Sequence, residues 1–231
     1  GTAPLAEYLS SVTWHNAFNQ LSIVGGVLAL SIFLIVRQSP ASTLDYVKGT
    51  KKISLRESFK EVGGNTQTWW LFFYAFLIWG PVTVFSGLWG TDFIKMLYGI
   101  STVEASQFSW YFWLPLAAAS PVWGYLTNYL RLRNPVMRIS SLMGLFATTA
   151  MVVYPDISMQ MMRLMLVIYG IAASGHIISF AVVKDINKPS VVSTASGVNN
   201  MGVVLGGLIL QPLVGTILDF MGPDQIVAGA P

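Results

Sequence analysis

The sequence predicts an all-α membrane protein, a bundle of six transmembrane helices. Three observations predict it: apolar runs of about 20 residues recur along the chain, charged residues are scarce, and the basic ones favour alternate connections. Of 231 residues, 54% are hydrophobic and 10% charged, whereas soluble domains carry about 25% charged residues, so this supply cannot coat a soluble surface. An unpaired peptide group in hydrocarbon costs several kcal/mol, which leaves only helices or a closed barrel. Barrel strands of about 10 alternating residues do not fit continuous apolar runs.

In order, residues 1–13 read as the end of a preceding helix and an outer loop, and 14–36 as the first transmembrane helix, its apolar part running from about His15 to Val36. Residues 37–67 form a central cytoplasmic loop, and 68–231 hold five further transmembrane helices. These run from about Thr68 to Thr91, Ala105 to Tyr129, Val136 to Tyr154, Met161 to Val183 and Val191 to Phe220. The last is long enough to include a tilt or an interfacial end. Inside the central loop, Ser54-Leu-Arg-Glu57 has capping-box spacing, so a short helix starts there and ends at Gly63-Gly64. Leu55, Phe59 and Val62 share one face of it, away from Arg56 and Lys60; the helix lies on the inner membrane surface or serves as a solvated linker.

Orientation follows from the basic residues. Arg37, Lys48, Lys51, Lys52, Arg56, Lys60, Arg131, Arg133, Arg138, Lys184 and Lys188 fall on one side, 11 of the 13. Lys95 and Arg163 fall on the other with Glu7, Asp92, Glu104, Asp156, Asp219 and Asp224. The basic side is cytoplasmic by the positive-inside rule, which puts both ends of the chain on the non-cytoplasmic side. The net charge of +3 therefore writes topology and does not call for nucleic acid.

With no cysteine, a disulfide framework, a zinc knuckle and a thiol nucleophile are excluded. No signal peptide is visible at Gly1, and the chain reads as cut from something longer. HExxH, a Gly-rich phosphate loop, paired intramembrane carboxylates and a Ser-His-Asp set are all missing from the sequence, so neither enzyme, metal nor cofactor chemistry is expected.

Polar groups deep in a bilayer are costly and mark a solute path. His176, in Gly170-Ile-Ala-Ala-Ser-Gly175-His176, either binds a proton or substrate group or is a neutral histidine bonded to a neighbouring helix. Ser174 lies beside it. Asn199, Asn200 and Gln211 need partners away from lipid, while Gly202 and Gly206 have the spacing of close helix packing. Trp79-Gly80-Pro81, followed by Thr83, Ser86, Gly87 and Gly90, predicts a kink or unwound stretch in the second span, because proline removes a backbone donor. His15 beside Trp14, and Trp69 with Trp70, read as interfacial anchors. Finally, Pro121-Val-Trp-Gly124-Tyr-Leu-Thr-Asn128 and Pro212-Leu-Val-Gly215-Thr-Ile-Leu-Asp219 share their Pro, Gly and Asn/Asp offsets, either by coincidence or as the trace of an inverted three-helix repeat.

These residues resemble the major facilitator superfamily of secondary transporters, from the end of its fifth helix to the loop after its eleventh. Gly1-Thr-Ala-Pro-Leu-Ala resembles the end of helix five, and Leu34-Ile-Val-Arg-Gln-Ser-Pro40 the passage from helix six into the central loop. Phe85-Ser-Gly-Leu-Trp-Gly90 with Tyr98-Gly-Ile-Ser is similar to helix seven of the bacterial organic-anion and amino-acid branches. Thr194-Ala-Ser-Gly197-Val-Asn-Asn-Met-Gly202 resembles their helix eleven. Gly124, Asn128, Arg131 and Arg133 occupy the cytoplasmic gating loop, where an acid normally stands at the position of Asn128, so an ionic latch there should be weakened.

The resemblance implies secondary active transport of a small polar metabolite, an organic anion or an amino acid, coupled to a proton or another ion by alternating access in a bacterial inner membrane. It also implies that a missing N-terminal half completes the site. Trp79, Thr83, Ser86, Ser174, His176, Asn199 and Asn200 are the expected pathway residues. The competing reading is a non-transporting membrane module, such as a receptor, an assembly factor or an inactive fragment.

Overall fold

A computed structural model describes residues 14–36, 53–154 and 156–221. The expected helix end and outer loop over 1–13, the basic residues Arg37, Lys48, Lys51 and Lys52, and the acids Glu7 and Asp224 lie outside the described residues.

Every regular element among the described residues is helical. Helix α1, Trp14–Ile35, belongs to one compact unit, and the helices from Ile53 onward form a second. α1 carries its apolar side chains exposed all around, and its Ser22 and Ser31 hydroxyls donate to carbonyls four residues back, each at 2.8 Å. A hydroxyl folded onto its own helix in this way is acceptable in hydrocarbon.

In the second unit α2 spans Leu55–Gly64 and α3 Thr66–Val84; a π-helical turn, Phe85–Trp89, continues α3 directly into α4, Gly90–Tyr98. Then follow α5 (Thr102–Gln107), α6 (Trp110–Leu130), α7 (Arg133–Val153), α8 (Met159–Ser174), α9 (Ile177–Ile186) and α10 (Val192–Met221). Among the described residues five helical stretches are long and apolar enough to cross a membrane: Phe18–Ile35, Thr66–Tyr98, Arg133–Val153, Met159–Ile186 and Val192–Phe220. α6 has the length, 21 residues, and no charged side chain, but Trp, Tyr, two prolines and Asn128 make it less apolar than the expected six-span pattern requires.

The capping box at Ser54 is formed: Glu57 N–H donates to the serine hydroxyl and the Glu57 carboxylate accepts from Ser54 N–H at 2.8 Å. α2 is not a detached linker. Val62 is buried with Leu71, Val183, Val191 and Ala195, which ties α2 to the ends of α3, α9 and α10, while Leu55 and Phe59 stay exposed. A second capping box, Ser101 with Glu104, starts α5.

α10 lies along α3 through its glycines. A Cβ at Gly202 would strike the Phe72 carbonyl, and one at Gly206 would stand 2.7 Å from the Gly80 Cα. The glycine spacing is thus used for backbone approach, which gains van der Waals contact where lipid offers no hydrophobic drive.

Two expectations about helix breaks change. α3 runs through Pro81 without unwinding, and Pro81 is exposed; the distortion comes four residues later, as the π-turn. A helix that meets proline on its outer face loses one hydrogen bond and no packing, which a local adjustment absorbs. The expected fifth span is present as one apolar stretch, Met159–Ile186, but it tightens where α8 passes into α9 at Gly175-His176, both of which keep right-handed helical angles.

Candidate functional site: a polar layer at a divided helix

The division follows from the local sequence. Gly175 N–H donates to Ala172 O (3.0 Å), His176 N–H to Ala173 O (3.2 Å), Ile178 N–H to Gly175 O (3.1 Å) and Ser179 N–H to His176 O (3.0 Å), so the spacing tightens from four residues to three. The Ile171 carbonyl, which this geometry frees, accepts from Ser174 Oγ (2.7 Å) and from Trp123 Nε1 of α6 (2.9 Å), and Ser179 Oγ adds a second bond to His176 O (2.7 Å). Gly175 is required because a Cβ there would lie 2.5 Å from the Ser140 side chain of α7.

The tightened turn aims His176 at α3. Its ring centroid is 4.3 Å from that of Trp79, the planes tilted by 41°, and Phe180 closes edge-on at 6.3 Å. Nδ1 lies 3.2 Å from the Ala173 carbonyl. A carbonyl only accepts, so this contact selects the tautomer protonated at Nδ1 and leaves Nε2 able to accept a proton or a donor from a ligand.

Asn199 of α10 is fully buried; its Nδ2 donates to Ser179 Oγ at 2.9 Å, and its Oδ1 has no partner. Tyr74 Oη of α3 is 3.4 Å from Ser140 Oγ. Side chains from α3, α7, α9 and α10, with His176 at the break, therefore make one polar layer, with an unmet acceptor at Asn199. An acceptor left without a donor in so apolar a place costs about 1–3 kcal/mol.

The structure stacks Trp79 on His176 and joins Asn199 to Ser179, one turn beyond His176, while Ser174 turns back onto Ile171 O of its own helix. Asn200, one residue further round the helix, is exposed and outside the layer. Ser86 lies in the π-turn and Thr83 in the last turn of α3 just before it: Thr83 Oγ1 donates to Gly80 O (2.7 Å), Gly90 N–H reaches back five residues to Phe85 O, and Gln211 Nε2 of α10 donates to the Thr83 carbonyl (2.9 Å). Gln211 thus finds its partner in a backbone group that the distorted helix leaves open. Ser86 Oγ is buried without a partner, beside a cavity of about 20 Å³ lined also by Thr91, Ser109, Phe108, Phe112 and Leu166.

At the basic end Gly124 has open space around it, Asn128 is exposed, and Arg131 adopts left-handed φ 52° and ψ 25° to end α6. Arg133 pairs with Asp185 of α9 at 2.6 Å, and Lys188 with Glu61 of α2 at 2.8 Å. Between them, Asn65 Nδ2 donates to Ile186 O at 2.9 Å and Asn187 Nδ2 to Val183 O at 3.0 Å. The loop therefore keeps an ionic contact, supplied by Asp185 where Asn128 offers none. Asp185, Tyr74, Ser140 and Ser179 escape a reading of the sequence. The signal that was present is that Ser179 stands one 3₁₀ turn after His176, and that Asp185 sits inside an otherwise basic connection.

A model of the Major Facilitator Superfamily matches residues 1–211. The chain belongs to this superfamily. No curated protein and no solved structure matches it. As a superfamily member the chain is a multi-pass membrane protein of a family that carries small solutes across a lipid bilayer, and its all-helical, apolar structure agrees with that fold.

Proposed function

We propose that the protein is a secondary active transporter of a small polar metabolite, an organic anion or an amino acid, driven by a proton or ion gradient through alternating access. The observation that carries the reading is the polar layer at the divided helix: an imidazole with a free acceptor nitrogen, stacked on Trp79 in the middle of long apolar helices. Irregular turns in helices at membrane depth often mark binding sites in transporters. Trp79 offers a flat wall, His176 Nε2 a proton site, and Asn199 Oδ1 an acceptor for a solute donor or for water.

A second half of the transporter completes the path, and the two halves rock about it; the repeated Pro-Gly-Asn/Asp pattern in α6 and α10 supports an inverted repeat within this half. The basic end faces the cytoplasm of a bacterial cell, where Arg133–Asp185 holds α7 to α9 in one state.

Uptake by right-side-out vesicles tests the reading. His176→Ala should lower the uptake kcat/KM about tenfold, the worth of one charged or well-placed hydrogen bond, and should flatten its pH dependence. Unchanged uptake with an unchanged pH profile would remove His176 from the path.

A further inference from the structure

Arg163 lies in the second turn of α8, at the end opposite the cytoplasmic ion pairs. Its guanidinium carbon is 5.2 Å from the centroid of the Phe108 ring and 5.5 Å from that of Tyr111. Nε is buried and has no hydrogen-bond partner. Among the described residues the ion pairs are Arg133–Asp185 and Lys188–Glu61, so no described carboxylate answers Arg163; Glu104, close by in sequence, is engaged with Ser101.

Arg163 is half-buried, and its Nε–H, shut off from water without an acceptor, is a donor that is costly to leave unmet. The two rings meet the guanidinium through the cation–π attraction, which leaves its N–H edge unspent. That edge, Nε–H beside Nη–H, matches the two oxygens of a carboxylate in a side-on bidentate pair. A water-sized cavity lies next to the rings. Phe108 also lines the small cavity, and Leu166, three residues beyond Arg163 on the same face of α8, lines it too. The Ser86 hydroxyl at that cavity has no partner of its own.

We propose that Arg163 is an anion-reading residue that takes the carboxylate of the incoming solute side-on, its plane held by Phe108 and Tyr111. This rests on the transport reading and narrows its solute class to carboxylates. Every residue invoked lies in α4 to α8 or the π-turn, so the site is complete within one compact unit.

Thermal unfolding of the full chain in maltoside micelles, titrated separately with acetate, succinate, inorganic phosphate and mannitol, tests it. Acetate or succinate should raise the unfolding temperature saturably, and phosphate and mannitol should not. R163Q should weaken the carboxylate response at least about tenfold, and R163K, which keeps the charge and loses the fork, should fall between. A wild-type chain indifferent to both carboxylates, a response to phosphate equal to that for succinate, or an R163Q variant with the wild-type response overturns the proposal. If R163Q does not fold, R163K decides: a clearly weakened response supports the fork, and an unchanged one rejects it. None of these results touches the transport reading, which stands or falls on vesicle uptake of any solute.

Discussion

Arg131 is the only non-glycine residue with positive φ among the described residues. A side chain in the left-handed region costs about 1–2 kcal/mol, and glycine is the usual solution after a helix. Arg131→Gly is therefore expected to stabilise the protein by about 1 kcal/mol in thermal unfolding, with solute binding unchanged. The opposite sign is expected at Gly206, whose Cβ has no room against Gly80 and the Phe76 carbonyl. Gly206→Leu should destabilise by about 1–3 kcal/mol, because α3 and α10 must separate to accept it. At the residue scale the sequence made His176, Asn199 and the glycine spacing visible through polarity and spacing alone. It hid Arg163, because a lone arginine near a helix start looks like an interfacial charge until the rings around it are placed.

The elements show where periodicity suffices and where partners decide. The capping boxes are local, so the one at Ser54 follows from four residues. Hydrogen bonds from Ser54 and Ser101 hold the Glu57 and Glu104 carboxyls below their ordinary value: for Glu57 the serine backbone bond leads, for Glu104 the serine hydroxyl. A carboxyl whose value is lower in the folded state adds stability above its unfolded value and loses it as the pH falls through the folded one. Ser101→Ala should therefore lower the unfolding temperature near neutral pH, and the gap to the wild type should close in acid. The Arg133–Asp185 pair is half-exposed, so Asp185→Asn should cost at most about 1 kcal/mol of stability. Its effect is expected instead on the rate of solute exchange, measured in vesicles. Helix breaks were not legible, because they depend on what stands opposite. Pro81 is exposed and α3 continues through it; Gly175 meets Ser140 and the fifth span tightens there.

For the whole molecule, scarce charge and long apolar runs specify the membrane, and the superfamily match agrees with a multi-pass membrane fold. α6 reads as a span by length and falls short in apolar character, since aromatic rings and prolines suit a helix packed among others as well as one in lipid. In the proposed transporter the layer around His176 lies in a wet solute path. The absence of native cysteine allows a direct measurement: single-cysteine variants His176→Cys and, on the exposed apolar side of α7, Leu142→Cys, treated in native membranes with a hydrophilic thiol reagent. Labelling is expected to be rapid at position 176, slowed by the transported solute, and slight at position 142. Labelling at 176 no faster than at 142 would contradict it.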